Sequence, residues 1–107
     1  DVYKRQVREP FTACFDADKL PAQGLCVRTR LPGDRFFPLN APGRRKLKEF
    51  FIDKKVPREK RDMPLIACGQ EILFVPGHCI SDTVKVEEKT TRILCVTYMP
   101  REGAEQI

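Results

Sequence analysis

No glycine-rich phosphate loop of the G-x-x-x-x-G-K-S/T kind occurs in these 107 residues, and neither does G-x-G-x-x-G or H-E-x-x-H. Those patterns supply backbone amides to a phosphate or paired imidazoles to zinc, so no nucleotide or metal chemistry is signalled. The single histidine, His78, adjoins Cys79. Neighbours on a strand point to opposite faces, so the pair reads as structural rather than as a proton or metal relay. Asp16 and Asp18 have no companion acid or histidine nearby and read as caps or solvated groups. There is no C-x-x-C pair. Cys14, Cys26, Cys68, Cys79 and Cys95 form an odd set, four of them inside apolar runs, and read as reduced, buried, metal-free thiols. No run of about 18 apolar residues is available to span a bilayer. No charged-then-apolar leader is visible, so no membrane association and a cytoplasmic address are the expectations.

What remains is ordinary globular material, 41% hydrophobic and 33% charged, of a length that fits one domain around one core. The opening DVYKRQ shares no pattern with the rest of the chain, so residues 1–6 are read as a non-native scar, 7–99 as the domain and 100–107 as a flexible tail. The net charge of +5 is unevenly placed. Between Arg28 and Arg61 stand 12 Lys or Arg against 4 Asp or Glu, so that segment carries +8 and the rest of the chain −3. A concentrated positive field on a mildly acidic body favours a polyanionic partner.

Phe11, Ala13 and Phe15 alternate with polar or small residues, as do Cys26 to Arg30, and the two runs read as half-buried strands joined by a loop. Pro32 and Gly33 then occupy the central positions of a type II turn from Leu31 to Asp34. Asp34 is expected to orient a guanidinium or to cap that turn. From Arg44 to about Lys55 the period becomes helical, with Leu47, Phe50 and Phe51 at i, i+3 and i+4. On such a helix Arg44, Lys48 and Lys55 fall within about 40° of one another, forming a basic edge. Pro57 ends the helix. Gly69-Gln70 joins two apolar runs as a hairpin, Pro76-Gly77 turns the chain again, and strands are expected near Val84 to Glu87 and Thr91 to Tyr98. The fold class is therefore α+β: a mainly antiparallel, β-sandwich-like domain with one principal amphipathic helix.

One constellation points to binding. Arg28, Arg30 and Arg35 lie on a strand and the following turn, Arg44, Arg45, Lys46, Lys48 and Lys55 on the helix, and Arg58 and Arg61 beyond it. Cations spread over a sheet edge and a helix suit phosphate contacts, which position a nucleic acid without reading its sequence. Phe36 and Phe37 offer stacking surfaces, with core packing the simpler role for at least one of them.

The stretch Phe15-Asp16-Ala17-Asp18-Lys19-Leu20, followed by Val27-Arg28-Thr29-Arg30-Leu31-Pro32-Gly33-Asp34-Arg35-Phe36, resembles the C-terminal domain of bacterial tRNA(Ile)-lysidine synthetases. Arg45 to Arg58 resembles the helix and exit of that domain, and Pro64-Leu65, Glu71 to Gly77 and Ile80-Ser81-Asp82 its last hairpin and loop. Phe74 stands where that family pattern has tryptophan, and His78-Cys79 also departs from it. The resemblance implies a fold shared with a domain of the phenylalanyl-tRNA synthetase β chain. It implies a parent enzyme that uses ATP and Mg2+, in an N-terminal domain this sequence does not contain, to join lysine to C2 of the wobble cytidine of a minor isoleucine tRNA. On that expectation this fragment is no enzyme and has no cofactor of its own. Its partners are tRNA(Ile), gripped at its body or acceptor stem, and the catalytic domain of its parent. The alternative from another class is a structural domain whose basic face docks on its parent enzyme and never meets RNA.

Overall fold

The computed structural model describes residues 11–99. The readings of residues 1–6 and 100–107 lie outside those residues. Strand β1 (Thr12–Asp16) pairs only with β8 (Ile93–Thr97), as an antiparallel ribbon. The other strands are β2 (Leu25–Arg28), β3 (Arg35–Phe36), β4 (Arg45–Lys46), β5 (Leu65–Cys68), β6 (Glu71–Val75) and β7 (Cys79–Ile80). They form one sheet in the order β2-β5-β6-β3-β4, with β7 also on β6. The mainly antiparallel reading holds, with one exception: β3 runs parallel to β6. The single α-helix among the described residues, α1, spans Leu47–Asp53.

Two apolar clusters explain the layering. Leu47, Phe50 and Phe51 of α1 pack with Phe36, Leu65, Ala67, Ile72 and Val75. On the other face, Ala13 and Phe15 of the ribbon pack with Leu73, Phe74, Ile80 and Val84. Strict alternation along β6 cannot send Ile72 and Val75 one way and Leu73 and Phe74 the other. A bulge does so: Ala67 partners Ile72 while Ile66 partners Phe74, leaving Leu73 as the extra residue. The sheet is thus a middle layer, with the helix on one side and the ribbon on the other.

Several expectations need correction. The strands read at Phe11 to Phe15 and Cys26 to Arg30 form, but in separate sheets, and the second ends at Arg28. No strand forms at Val84 to Glu87. Ser81 caps a 3-10 turn over Asp82–Val84 by accepting from the Thr83 amide, and Val84 seals the ribbon-side core. The helix is shorter than its apolar period suggests, because Arg45 and Lys46 extend to pair with β3 before it starts. Its far end is a Schellman cap: the Val56 amide donates to Phe51 O and the Lys55 amide to Ile52 O, both at 3.0 Å. Lys55 sits there at φ 57°, the position glycine usually fills. Arg44, Lys48 and Lys55 therefore share no helical face, since only Lys48 is on the helix.

The reading of five reduced, buried thiols also fails. Cys14 and Cys95 are direct partners in the ribbon, with Cα atoms 4.1 Å apart, and are joined as a disulfide. Hydrogen bonds from the Tyr98 amide to Phe11 O and from the Ala17 amide to Arg92 O place this pair in the closer, non-hydrogen-bonded register. Cys26, Cys68 and Cys79 are free, and Cys26 is exposed. Spacing along the chain carries no trace of a pairing over a separation of 81 residues.

Candidate functional site: a basic cleft beside the Pro-Gly turn

The Leu31 to Asp34 turn is type II as expected: the Asp34 amide donates to Leu31 O at 3.2 Å and Gly33 lies at φ 87°. The positive φ is what requires glycine there; a Cβ would meet only the flexible end of Gln70, at 2.7 Å from Nε2. Asp34 performs both roles read for it. Its carboxylate accepts the Leu31 amide at 2.8 Å and binds the Arg28 guanidinium bidentately, at 2.8 and 3.0 Å. Arg28 further donates to Gly69 O at 2.6 Å, which ties the turn to the β5–β6 hairpin. Both side chains are largely buried, at 19% and 2% exposure, and this hydrogen-bonded pairing raises the Arg28 pKa above its ordinary value. With four of its five N–H donors engaged by Asp34, Gly69 O and Thr29 O, Arg28 is an internal strut.

The turn so held forms one wall of a cleft of about 530 Å³. The segment Arg30–Arg35 makes that wall, and Lys46–Lys48 with Phe51 make the other. The Leu47 amide donates to Asp34 O at 2.9 Å, so the turn also fixes where the helix begins.

The other expected binding residues divide by their partners. Arg30, at the rim, is paired with Asp62 at 3.0 Å, and Arg45 with Asp53 at 2.5 Å. Arg44 holds Glu71 at 3.0 and 3.1 Å and lies 5.7 Å from the Phe37 ring centroid. That contact gives Phe37 a role other than base stacking, and Phe36 is core. Arg61 donates to Val56 O at 2.9 Å and sits over Phe51. Lys55 and Arg58 are exposed, beyond the helix and away from the cleft lining. Arg35, Lys46 and Lys48 line the cleft and form no ion pair among the described residues.

Arg35 and Lys46 are, moreover, direct cross-strand partners. Side chains so placed share a face with Cβ atoms about 5 Å apart, and like charges there oppose folding. The acid nearest in register, Glu71, partners Arg35 along β6 but gives its carboxylate to Arg44. Arg35 on one wall and Lys46 and Lys48 on the other are three cations with no ion pair among the described residues, set beside Leu47 and Phe51, an arrangement that suits an anion. Sequence reading missed that Leu31 lines the cleft: a large apolar residue, 55% exposed, set directly before a Pro-Gly turn. Among the described residues no group of three or more His, Cys, Asp or Glu could hold a metal ion. His78 is part of the packing instead, its ring edge-on to Phe50 and Phe51. Burial first, and Lys54 second, push its pKa below 6.5.

A mostly-sheet α+β domain with one helix and a cation-lined cleft is the class this arrangement defines. The chain belongs to the TilS substrate C-terminal domain family, whose model matches residues 25–96. It is similar to the tRNA(Ile)-lysidine synthase of Caldanaerobacter subterraneus subsp. tengcongensis, at 48% identity over 78% of this chain and 18% of the relative. It is similar also to the enzyme of that name from Dehalococcoides mccartyi, at 44% identity over 80% of the chain and 18% of the relative. The fold matches a crystal structure of a TilS C-terminal domain with a TM-score of 0.64 and 31% identity, over 81% of this chain and 67% of the other. The chain spans about a fifth of the length of the curated relatives it matches.

Proposed function

We propose that this chain is the tRNA-binding module of a tRNA(Ile)-lysidine synthase and that it grips the tRNA body or acceptor stem through the cleft between the Pro-Gly turn and the helix. The observation that carries the reading is the Arg35–Lys46 juxtaposition, with Lys48 beside them in the cleft and no carboxylate paired with any of the three among the described residues. Like charges held together against their repulsion are explained by an anion that joins them, and an RNA backbone supplies anions in series. The parent ligase would attach lysine to the wobble cytidine of tRNA(Ile) in the cytoplasm, with ATP and Mg2+ bound by segments outside this chain. The residues present do not fit those groups, and no step of that chemistry is assigned to them. The partners are then tRNA(Ile) and the catalytic part of the same enzyme. Kinship with the phenylalanyl-tRNA synthetase β-chain domain belongs to the same proposal.

Affinity for an acceptor-stem RNA, measured across a salt series, tests it. Each phosphate contact contributes a log–log slope of roughly −0.7 to −0.9, so Lys46→Gln with Lys48→Gln should reduce the slope's magnitude by about 1.4 to 1.8. Cognate and unrelated stems should weaken alike, because backbone contacts carry no base identity. Unaltered binding by a folded double variant would move the weight to docking on the parent enzyme.

A further inference from the structure

We propose that the cleft receives one unpaired nucleotide, its phosphate between Arg35 and Lys46 and its base against the exposed lip of Leu31 and Pro32. The proposal rests on the reading above, that this face binds RNA, and adds what enters the cavity. Duplex phosphates are met by a row of projecting cations, which needs no cavity. Here the cations stand around a hollow of about 530 Å³, within the range of roughly 300–1,000 Å³ typical of pockets that enclose a small ligand.

The lining has the two-part chemistry of a nucleotide. Arg35 stands on one wall and Lys46 and Lys48 on the other, and Leu31 and Pro32 form an exposed apolar lip over the buried Leu47 and Phe51. A lone phosphate gains nothing from an apolar lip, whereas the face of an unstacked base does. Asp34 is the acid in the wall, and both of its oxygens are engaged, by Arg28 and by the Leu31 amide. It therefore does not oppose an incoming anion as a free carboxylate would. Leu31 is free to move onto a ligand. Its side chain is exposed, while its backbone is fixed by the turn.

The test uses the 107-residue chain with two labelled RNAs, a short blunt duplex and the same duplex with a few unpaired nucleotides at one end. The overhang should tighten binding by about fivefold or more, the scale of one base stacked on a side chain. Leu31→Ser should abolish the difference in affinity between the two RNAs, whatever it does to duplex binding itself, and Leu31→Phe should restore that difference. Circular dichroism establishes that each variant is folded. Equal affinity of the unmodified chain for both RNAs overturns the proposal and leaves the broader reading standing. Absence of binding to either RNA overturns both. Displacement of the overhang RNA by an oligoglutamate peptide at matched charge concentration also overturns it, since the cleft would then answer to charge alone.

Discussion

Replacing Lys46 with glutamine should make the ligand-free chain more stable while weakening its grip on RNA. Lys46 and Arg35 are opposed across β3 and β4, both are exposed, and neither has a carboxylate partner among the described residues. Two unit charges about 6 Å apart in water repel by roughly 0.7 kcal/mol. The long side chains splay and salt screens them, so about 0.5 kcal/mol is a reasonable gain, inside the roughly 0.2–1 kcal/mol range of cross-strand pairs. For a domain of this size that is a melting-temperature rise of about 2–4 °C. Thermal unfolding followed by circular dichroism at low salt would show it, and high salt should shrink it. Arg35→Gln should produce a similar rise. The double variant should gain no more than either single one, because one repulsion can be removed only once. There is a plainer account of Lys46: β4 ends the sheet order, and an edge lysine discourages unwanted strand addition. That account predicts no coupling to Arg35. Additive effects of the two changes, or an unchanged melting temperature at low salt, would refute the anion-site argument.

Asp34→Ala should destabilise the chain by about 3 kcal/mol, since it strands a mostly buried Arg28 and removes the cap on the Leu31 amide; a urea titration showing less than about 1 kcal/mol would contradict this. His78 has its folded-state pKa lowered by burial and by Lys54. The neutral form is thus favoured, and its stability contribution is complete above the unfolded value of 6.5 and lost as pH falls through the folded value. His78→Gln should flatten that acid limb of the stability profile, and an unchanged limb would discount the histidine. Reducing the Cys14–Cys95 bridge frees a closed loop with a separation of 81 residues, for a loss of roughly 2–4 kcal/mol. A melting temperature indifferent to reductant, or one that Cys14→Ser leaves reductant-sensitive, would count against it.

The local chemistry of the chain was legible wherever neighbours decide the conformation. The Pro32-Gly33 turn, the Gly69-Gln70 hairpin and the helix stripe of Leu47, Phe50 and Phe51 all follow from residues within a few positions of one another. What escaped depends on distant partners. Arg45 and Lys46 have ordinary helical neighbours, and only the arrival of β3 draws them into a strand. Val84 to Glu87 looks like a strand, but no strand edge is offered to it, and its backbone follows the Ser81 cap instead. The β6 bulge is invisible for the same reason: its extra residue exists only relative to β5.

The candidate site raises the same difficulty in a sharper form, because a cation's role is set by the anion it does or does not meet. The run from Arg28 to Arg61 carries +8, yet two of the carboxylates that neutralise its arginines, Asp62 and Glu71, lie outside it at separations of 32 and 27 residues. Counting charge along the sequence therefore overstates the binding surface and cannot say which cations remain. Folding makes the selection. It commits Arg28, Arg30, Arg44 and Arg45 to carboxylates and Arg61 to a backbone carbonyl, and it leaves Arg35, Lys46 and Lys48 around one hollow. Lys54, Lys55, Arg58 and Lys60 also form no ion pair among the described residues, but they do not line that hollow. Those scattered cations read as ordinary solvated charge; convergence on one cleft, and not a missing partner alone, is what marks Arg35, Lys46 and Lys48 as a candidate site.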